Sequence, residues 1–162
     1  MKHLLLTTIA AVVLVGCGPS VDIREATAKG NIEAVKQHLA AGTDVNALDH
    51  GGNTPLHHAV YNDQTEIIRL LIDKGAEVNG KRKAANHEKG VAPLHTATWR
   101  STIETMELLI DNGADVNMKR ADGAIALHLL HSQSVVLQFH YWDFSKLLHA
   151  MESHLHYCHP LL

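Results

Sequence analysis

The sequence predicts an all-α solenoid, in which helix pairs stack one on another. One observation is a nine-residue segment that reads LIDKGAEVN at 71–79 and LIDNGADVN at 109–117, with an earlier copy at 38–46. Another is a TPLH segment at 54–57 that is echoed as APLH at 92–95. Self-similarity at a period of about 20–50 residues is typical of repeat architectures, in which each unit buries its apolar face against its neighbours.

Both landmarks keep one register along the chain. Gly42 and Gly75 are 33 residues apart, whereas Gly75 and Gly113 are 38 apart. The histidines of the TPLH and APLH segments are also 38 apart. A five-residue insertion within 80–90 accounts for both longer intervals. The sequence therefore predicts four units, at about 21–49, 50–82, 83–120 and 121 onward.

The first helix of a unit is predicted to begin at a proline. Pro55 and Pro93 suit the first turn of a helix, where a missing N–H costs little. Thr54 precedes one of them and can cap the helix with its hydroxyl. Leu56 and Leu94 follow the prolines within the same motif.

The second helix carries apolar residues at helical spacing. In the second and third units these residues are Ile67, Ile68, Leu71, Ile72, Ile103, Met106, Leu109 and Ile110. A glycine then ends each second helix, where a left-handed backbone is needed. The extended fingers that lead to the next unit begin at Val45, Val78 and Val116.

The 33-residue period and the T-P-L-H-x-A signature resemble those of ankyrin repeats. The resemblance covers residues 21–130 and implies antiparallel helix pairs with short β-hairpin-like fingers. It also implies that His57 and His95 hydrogen-bond to backbone and tie neighbouring repeats together. The first unit carries DIREA at 22–26 instead of the motif, as suits a polar, atypical repeat at an open end.

The resemblance further implies a protein partner, bound by the finger tips and the outer part of the first helices. Carried onto this chain, the contact positions are His50, Asn53, Tyr61, Asn62, Glu88, Lys89, Val91, Trp99 and Arg100. Trp99 and Arg100 stand out because tryptophan and arginine are favoured interface anchors. The alternative for Trp99 is packing on the next repeat or on the tail. The resemblance does not identify the partner.

The insertion adds three consecutive cations, Lys81, Arg82 and Lys83. One interpretation is contact with an acidic partner or an anionic lipid headgroup. The other is a solvated, flexible loop.

The N-terminus reads as a lipoprotein signal peptide over residues 1–16. An apolar run at 4–15 follows Lys2 and is shorter than the roughly 20 residues of a membrane-spanning helix. The run ends in LVGC, which resembles the lipobox of bacterial lipoproteins and implies lipidation of Cys17, with 17–20 as a tether. Gly18, in place of aspartate, favours the outer membrane and a periplasm-facing protein. The alternatives are an ordinary cleaved signal peptide and an uncleaved anchor helix.

The tail at 131–162 departs from the repeat pattern. KLLHA stands at 146–150, where a helix-ending glycine segment is due. Three interpretations remain open: a divergent C-terminal cap, a truncated or frameshifted product without selected activity, and a soft-metal site. Weak candidates for metal ligands are His154, His156, Cys158 and His159.

No catalytic motif is present, since the sequence has no phosphate loop, no G-x-S-x-G and no H-E-x-x-H. The formal net charge of −3, without a strongly basic stripe, gives no indication of nucleic-acid binding. The sequence therefore predicts a monomeric, lipid-anchored protein of the bacterial envelope. We expect it to bind a protein partner, without enzymatic activity, a cofactor or a metal.

Overall fold

The computed structural model describes residues 21–83, 90–100 and 102–132. Within these ranges the chain is helical and forms no strand, which confirms the predicted all-α solenoid. The predicted signal peptide, Cys17 and the tail beyond residue 132 lie outside the described residues. The helices of the described part are α1 (Ile23–Ala28), α2 (Ile32–Ala40), α3 (Pro55–Tyr61), α4 (Thr65–Asp73), α5 (Pro93–Arg100), α6 (Ile103–Asp111) and α7 (Ala126–Ser132).

The helices stack in two rows. In the inner row α1 packs against α3, α3 against α5, and α5 against α7. In the outer row α2, α4 and α6 each pack on the inner helix that precedes them, and α2 also contacts α4. One helix pair thus lies in each of the first three predicted units.

Apolar side chains fill the space between the rows. Residues that the helical spacing predicted for the core, such as Ile68, Leu71 and Leu109, are fully buried. Leu56 and Leu94 of the two Pro-Leu-His segments belong to the same apolar cluster. The cluster is continuous across the units, so each helix pair uses its neighbours to cover its apolar face.

A finger leads into the second, third and fourth units, and we call these fingers two (45–53), three (78–92) and four (116–125). In finger two the Asp49 N–H donates a hydrogen bond to the Asn53 carbonyl, four positions on, at 2.9 Å. In finger three the Arg82 N–H donates to the Val91 carbonyl, nine positions on, at 2.8 Å. The five extra residues of the predicted insertion therefore lie between Arg82 and Val91.

The helix starts follow the sequence motif. Pro55 and Pro93 are the first residues of α3 and α5. Thr54 caps α3, because its hydroxyl accepts a hydrogen bond from the His57 N–H at 3.4 Å. In return His57 Nδ1 accepts one from the Thr54 N–H at 3.2 Å. This reciprocal pair is a capping box with histidine in place of glutamate.

The first unit reaches the same arrangement with other residues. Arg24 stands 33 residues before His57, in the place of the motif histidine. Its guanidinium donates a hydrogen bond to the Leu48 carbonyl in finger two, at 2.5 Å. Hydrogen bonds from Arg24 also hold the pKa of Asp22, the residue that caps α1, at about 2. An arginine therefore ties the atypical first unit to its neighbour.

The outer helices end at the predicted glycines. Gly42, Gly75 and Gly113 have φ angles of +82°, +86° and +85°. The Gly75 N–H and the N–H of the next residue bond back to carbonyls in the last turn of α4. A Cβ at Gly75 would meet no atom within 4 Å, so the left-handed backbone, and not a lack of space, requires glycine there.

His57 ties two units together, as the resemblance implied. Its Nδ1 accepts a backbone hydrogen bond, so the neutral ring carries its proton on Nε2 and donates it to the Val91 carbonyl at 3.1 Å. His95 repeats only half of this arrangement. Its Nδ1 accepts from the Ala92 N–H at 3.1 Å, but its buried Nε2 makes no hydrogen bond. Burial lowers the pKa of His95, and backbone groups of Met118 and Ala124 in finger four oppose that shift, so the ring nevertheless faces the next finger.

Asparagines at the end of the nine-residue segment form a second set of ties that the sequence analysis missed. Asn46 accepts a hydrogen bond from the Glu77 N–H at 2.9 Å and donates to the Gly75 carbonyl at 3.4 Å. Asn79 likewise accepts from the Asp115 N–H at 2.8 Å and donates to the Gly113 carbonyl at 2.9 Å. The recurrence of asparagine at this position was the available signal.

We predict that Gly75→Ala lowers the free energy of unfolding by about 1 kcal/mol, because alanine is strained at a positive φ. Gly75→Asn should cost less, since asparagine adopts the left-handed conformation more readily. Urea unfolding followed by circular dichroism measures both changes. An alanine variant as stable as the parent chain would contradict the backbone explanation.

We predict that stability falls as the pH drops from about 6.5 to 4, partly through His57. Burial lowers the pKa of His57 from 6.5 to about 4, so in this window the unfolded chain binds a proton that the folded chain excludes. The stabilisation is complete above pH 6.5, and one such group gives a slope of at most about 1.4 kcal/mol per pH unit.

Urea unfolding at pH 7, 6 and 5 measures this slope. His57→Gln should be less stable at pH 7 and should show a shallower pH dependence than the parent chain. His50→Gln, at an exposed position, controls for the loss of a histidine. The explanation fails if His57→Gln keeps the full slope.

Candidate functional site

Most of the predicted contact residues lie in the fingers or at the ends of the inner helices and are at least partly exposed. His50, Tyr61, Asn62 and Arg100 are exposed, and Trp99 is half-buried. These five residues define what we call the finger face. Glu88 and Lys89, which were also predicted to contact a partner, lie outside the described residues.

Val91 does not fit the predicted contact set. Its side chain is fully buried, and its carbonyl accepts the hydrogen bonds from His57 and from the Arg82 N–H. The motif places Val91 at a finger position, but the close approach of the neighbouring units leaves its side chain no access to a partner. The prediction for Val91 is therefore wrong.

Two arginines lie over the two aromatic rings of the finger face. The Arg100 guanidinium is 5.1 Å from the centre of the Tyr61 ring, which belongs to the preceding unit. Arg120, in finger four, lies 5.3 Å from the centre of the Trp99 ring. Both distances are within the range of cation–π attraction. The contacts order side chains from the end of α3 through the end of α5 to finger four.

The Trp99 side chain therefore packs within the array and also remains partly accessible. It lies against Arg120 of the next finger, as the packing alternative anticipated, yet it keeps part of its surface exposed. Arg120 is held in turn by an ion pair with Asp122 at 2.5 Å. A backbone hydrogen bond from Ala124 and this arginine lower the pKa of Asp122.

Hydrogen bonds to the Asp49 carboxylate hold finger two together. The Asp49 carboxylate accepts hydrogen bonds from the Asn53 N–H at 2.8 Å, from the Asn53 amide at 2.9 Å and from His58 Nε2 at 2.8 Å. Partial burial raises the pKa of Asp49, but these hydrogen bonds outweigh it and hold the pKa at about 2. The amide of Asn53, a predicted contact residue, is thus engaged within the finger.

Two cations in the first part of finger three bond to the fingers on either side. The Lys81 ammonium donates a hydrogen bond to the Lys119 carbonyl of finger four at 3.1 Å. Arg82 Nε donates to the Gly51 carbonyl of finger two at 3.4 Å. Lys81 and Arg82 thus bond to neighbouring fingers, while the Lys81 side chain remains exposed.

A groove of about 600 Å³ runs beside these cations. Leu48 and Thr54 form part of its lining, together with Glu77, Lys81 and Lys83. Its wall therefore combines an apolar side chain with ammonium groups and one carboxylate.

No group of three or more potential metal ligands occurs among the described residues. The weak candidates His154, His156, Cys158 and His159 lie outside them, so a metal site in the tail stays a prediction. None of the described helices is long and apolar enough to cross a membrane.

Comparison with known proteins finds partial matches. An ankyrin repeat-containing protein of Schizosaccharomyces pombe is 33% identical over 54 residues, which are 33% of this chain and 26% of that protein. Myotrophin of Xenopus tropicalis is 40% identical over 47 residues, 29% of this chain and 40% of that protein. Protein phosphatase 1 regulatory subunit 27 of Mus musculus is 39% identical over 66 residues, 41% of this chain and 40% of that protein.

The chain spans less than half the length of each of these relatives. The family model of ankyrin repeats in three copies matches residues 23–120, which is more than half of the chain. The match includes the three helix pairs and fingers two and three. The chain therefore belongs to the ankyrin-repeat family.

Proposed function

We propose that this chain is a membrane-anchored module that binds a protein partner through the finger face and performs no catalysis. The observation that carries the proposal is the pair of ordered aromatic–arginine contacts that join α3, α5 and finger four. Arrays of stacked repeats form extended binding surfaces from their successive fingers and inner helices. One of the relatives is named as a regulatory subunit of a protein phosphatase, a name that implies association with another protein.

The finger face has the chemistry of an interface anchor. Tryptophan, tyrosine and arginine contribute most of the binding energy in typical protein interfaces. Arg100 is stacked on Tyr61, so its guanidinium loses less conformational freedom when a partner binds. Tyr61 is 54% exposed and one of the two large apolar side chains classed as exposed in the described part of the chain.

We predict that Tyr61→Ala and Arg100→Ala together weaken binding of the partner by at least about tenfold, since each removes an anchor. Affinity capture from solubilised cell envelopes identifies the partner, and titration of the purified partner measures its Kd. Trp99→Ala should also weaken binding, but it removes packing against Arg120, so its stability must be measured beside its affinity.

Arg69→Ala is the matched control for this test. Arg69 is exposed on α4, in the outer row, so its loss should leave partner binding unchanged. Equal effects of Arg69→Ala and Arg100→Ala, with the fold intact by circular dichroism, would rule out the finger face as the binding surface.

The membrane anchor in this proposal is Cys17. A cysteine directly after an apolar run is the residue that lipoprotein processing modifies, and attached acyl chains bind membranes at about 0.8 kcal/mol per buried CH₂. Gly18 after it favours the outer membrane, with the repeats facing the periplasm. A protein-binding face held at a membrane would recruit its partner to that surface.

We predict that Cys17→Ala shifts the chain from the membrane pellet to the soluble fraction of a bacterial lysate, because the acyl chains can no longer be attached. Cys158→Ala, which removes the other cysteine of the chain, should leave the protein in the pellet. Immunoblots of both fractions measure the distribution. If the Cys17 variant sediments as the parent chain does, the lipid anchor is absent.

A further inference from the structure

We infer that the partner presents an acidic segment with an aliphatic side chain, which docks in the groove beside finger three and against the lysines of fingers three and four. This inference rests on the proposed protein-binding function and specifies the partner's chemistry. It is carried by two features: lysines that form no ion pair with a carboxylate among the described residues, and an exposed leucine in the groove lining.

Lys81, Lys83 and Lys119 define what we call the lysine cluster. All three are exposed, and none forms an ion pair with a carboxylate in the part of the chain that the structure describes. The hydrogen bond from the Lys81 ammonium to the Lys119 carbonyl brings fingers three and four side by side. The cluster therefore presents positive charge from two adjacent fingers.

Two acids of the described fingers are engaged by groups other than the lysines. Asp122 is paired with Arg120, and Asp49 accepts hydrogen bonds from Asn53 and His58. Glu77 is the acid that lines the groove. The formal charge of the whole chain is −3, so an acidic ligand is repelled overall and can be attracted only by a local positive surface.

The groove lining also contains an exposed apolar side chain, which a ligand would need to match with an apolar group of its own. Leu48 is 38% exposed in its lining, and beside Tyr61 it is the other large apolar side chain classed as exposed among the described residues. A groove of about 600 Å³ is large enough for several side chains of a peptide. A lipid surface would satisfy the lysines but gives no reason for a recessed apolar lining. An acidic protein segment with an aliphatic anchor satisfies both.

The test uses the whole 162-residue chain and two fluorescent peptides, one of repeated Glu-Asp-Leu triplets and one of repeated Gln-Asn-Leu triplets. Fluorescence anisotropy measures each Kd. We expect the acidic peptide to bind and the neutral peptide to bind at least about tenfold more weakly, because only the acidic peptide complements the lysine cluster. Raising the salt concentration from about 0.05 M to 0.5 M should weaken binding of the acidic peptide by a similar factor.

The Lys83→Ser/Lys119→Ser double variant should bind the acidic peptide about tenfold more weakly than the parent chain. Lys36→Ser/Lys74→Ser is the matched control, since it removes the same charge from exposed positions on α2 and just after α4. The control pair should change the Kd less than about twofold. Leu48→Ser should weaken binding of the acidic peptide, because the apolar contact in the groove is lost.

Equal binding of the two peptides, or equal weakening by the two lysine pairs, would overturn the inference. So would retention of the chain on phosphatidylglycerol vesicles through Lys83 and Lys119 without peptide binding, since the cluster would then bind lipid. In each case the proposed function would stand if Tyr61→Ala and Arg100→Ala still reduced partner capture. The proposed function would fail only if those substitutions also left partner capture unchanged.

Discussion

The burial of each helix pair's apolar face against the next pair is the interaction on which the rest of this structure depends. α3 and α4 have seven and nine residues, which is too short for stable isolated helices in water. Leu56, Ile68 and Leu71 are fully buried within a cluster that runs on through the neighbouring units. Each unit is therefore stable only because its neighbours cover it, and stability is shared along the array.

Polar ties join each unit to the next. Backbone N–H and carbonyl groups need hydrogen-bond partners, and some of those in one unit find them in side chains of another. Asn46 and Asn79 satisfy one N–H and one carbonyl each in the following unit, and His57 satisfies the Val91 carbonyl. In unit three His95 is placed like His57, and backbone groups of finger four oppose the effect of burial on its pKa, although its Nε2 makes no hydrogen bond.

Helix stacking and the hydrogen bonds between units leave the finger tips and the ends of the inner helices available for binding. The contacts of Arg100 with Tyr61 and of Arg120 with Trp99 order this surface without covering it. Finger three contributes two of the three residues of the lysine cluster, Lys81 and Lys83. The stacked core thus leaves aromatic, cationic and apolar groups exposed on its fingers and inner helices, where a partner could contact them.

The sequence by itself determined the repeat register, the helix starts at Pro55 and Pro93 and the helix ends at Gly75 and its counterparts, because each depends on local backbone geometry or on apolar periodicity. Tertiary structure alone decided which finger residues are accessible. Val91 was predicted to contact a partner, but its side chain is buried. For Arg82 the sequence allowed a solvated loop, but its guanidinium donates a hydrogen bond to finger two. Those outcomes depend on contacts between residues about 30 positions apart, which bring whole units together and which no local pattern encodes.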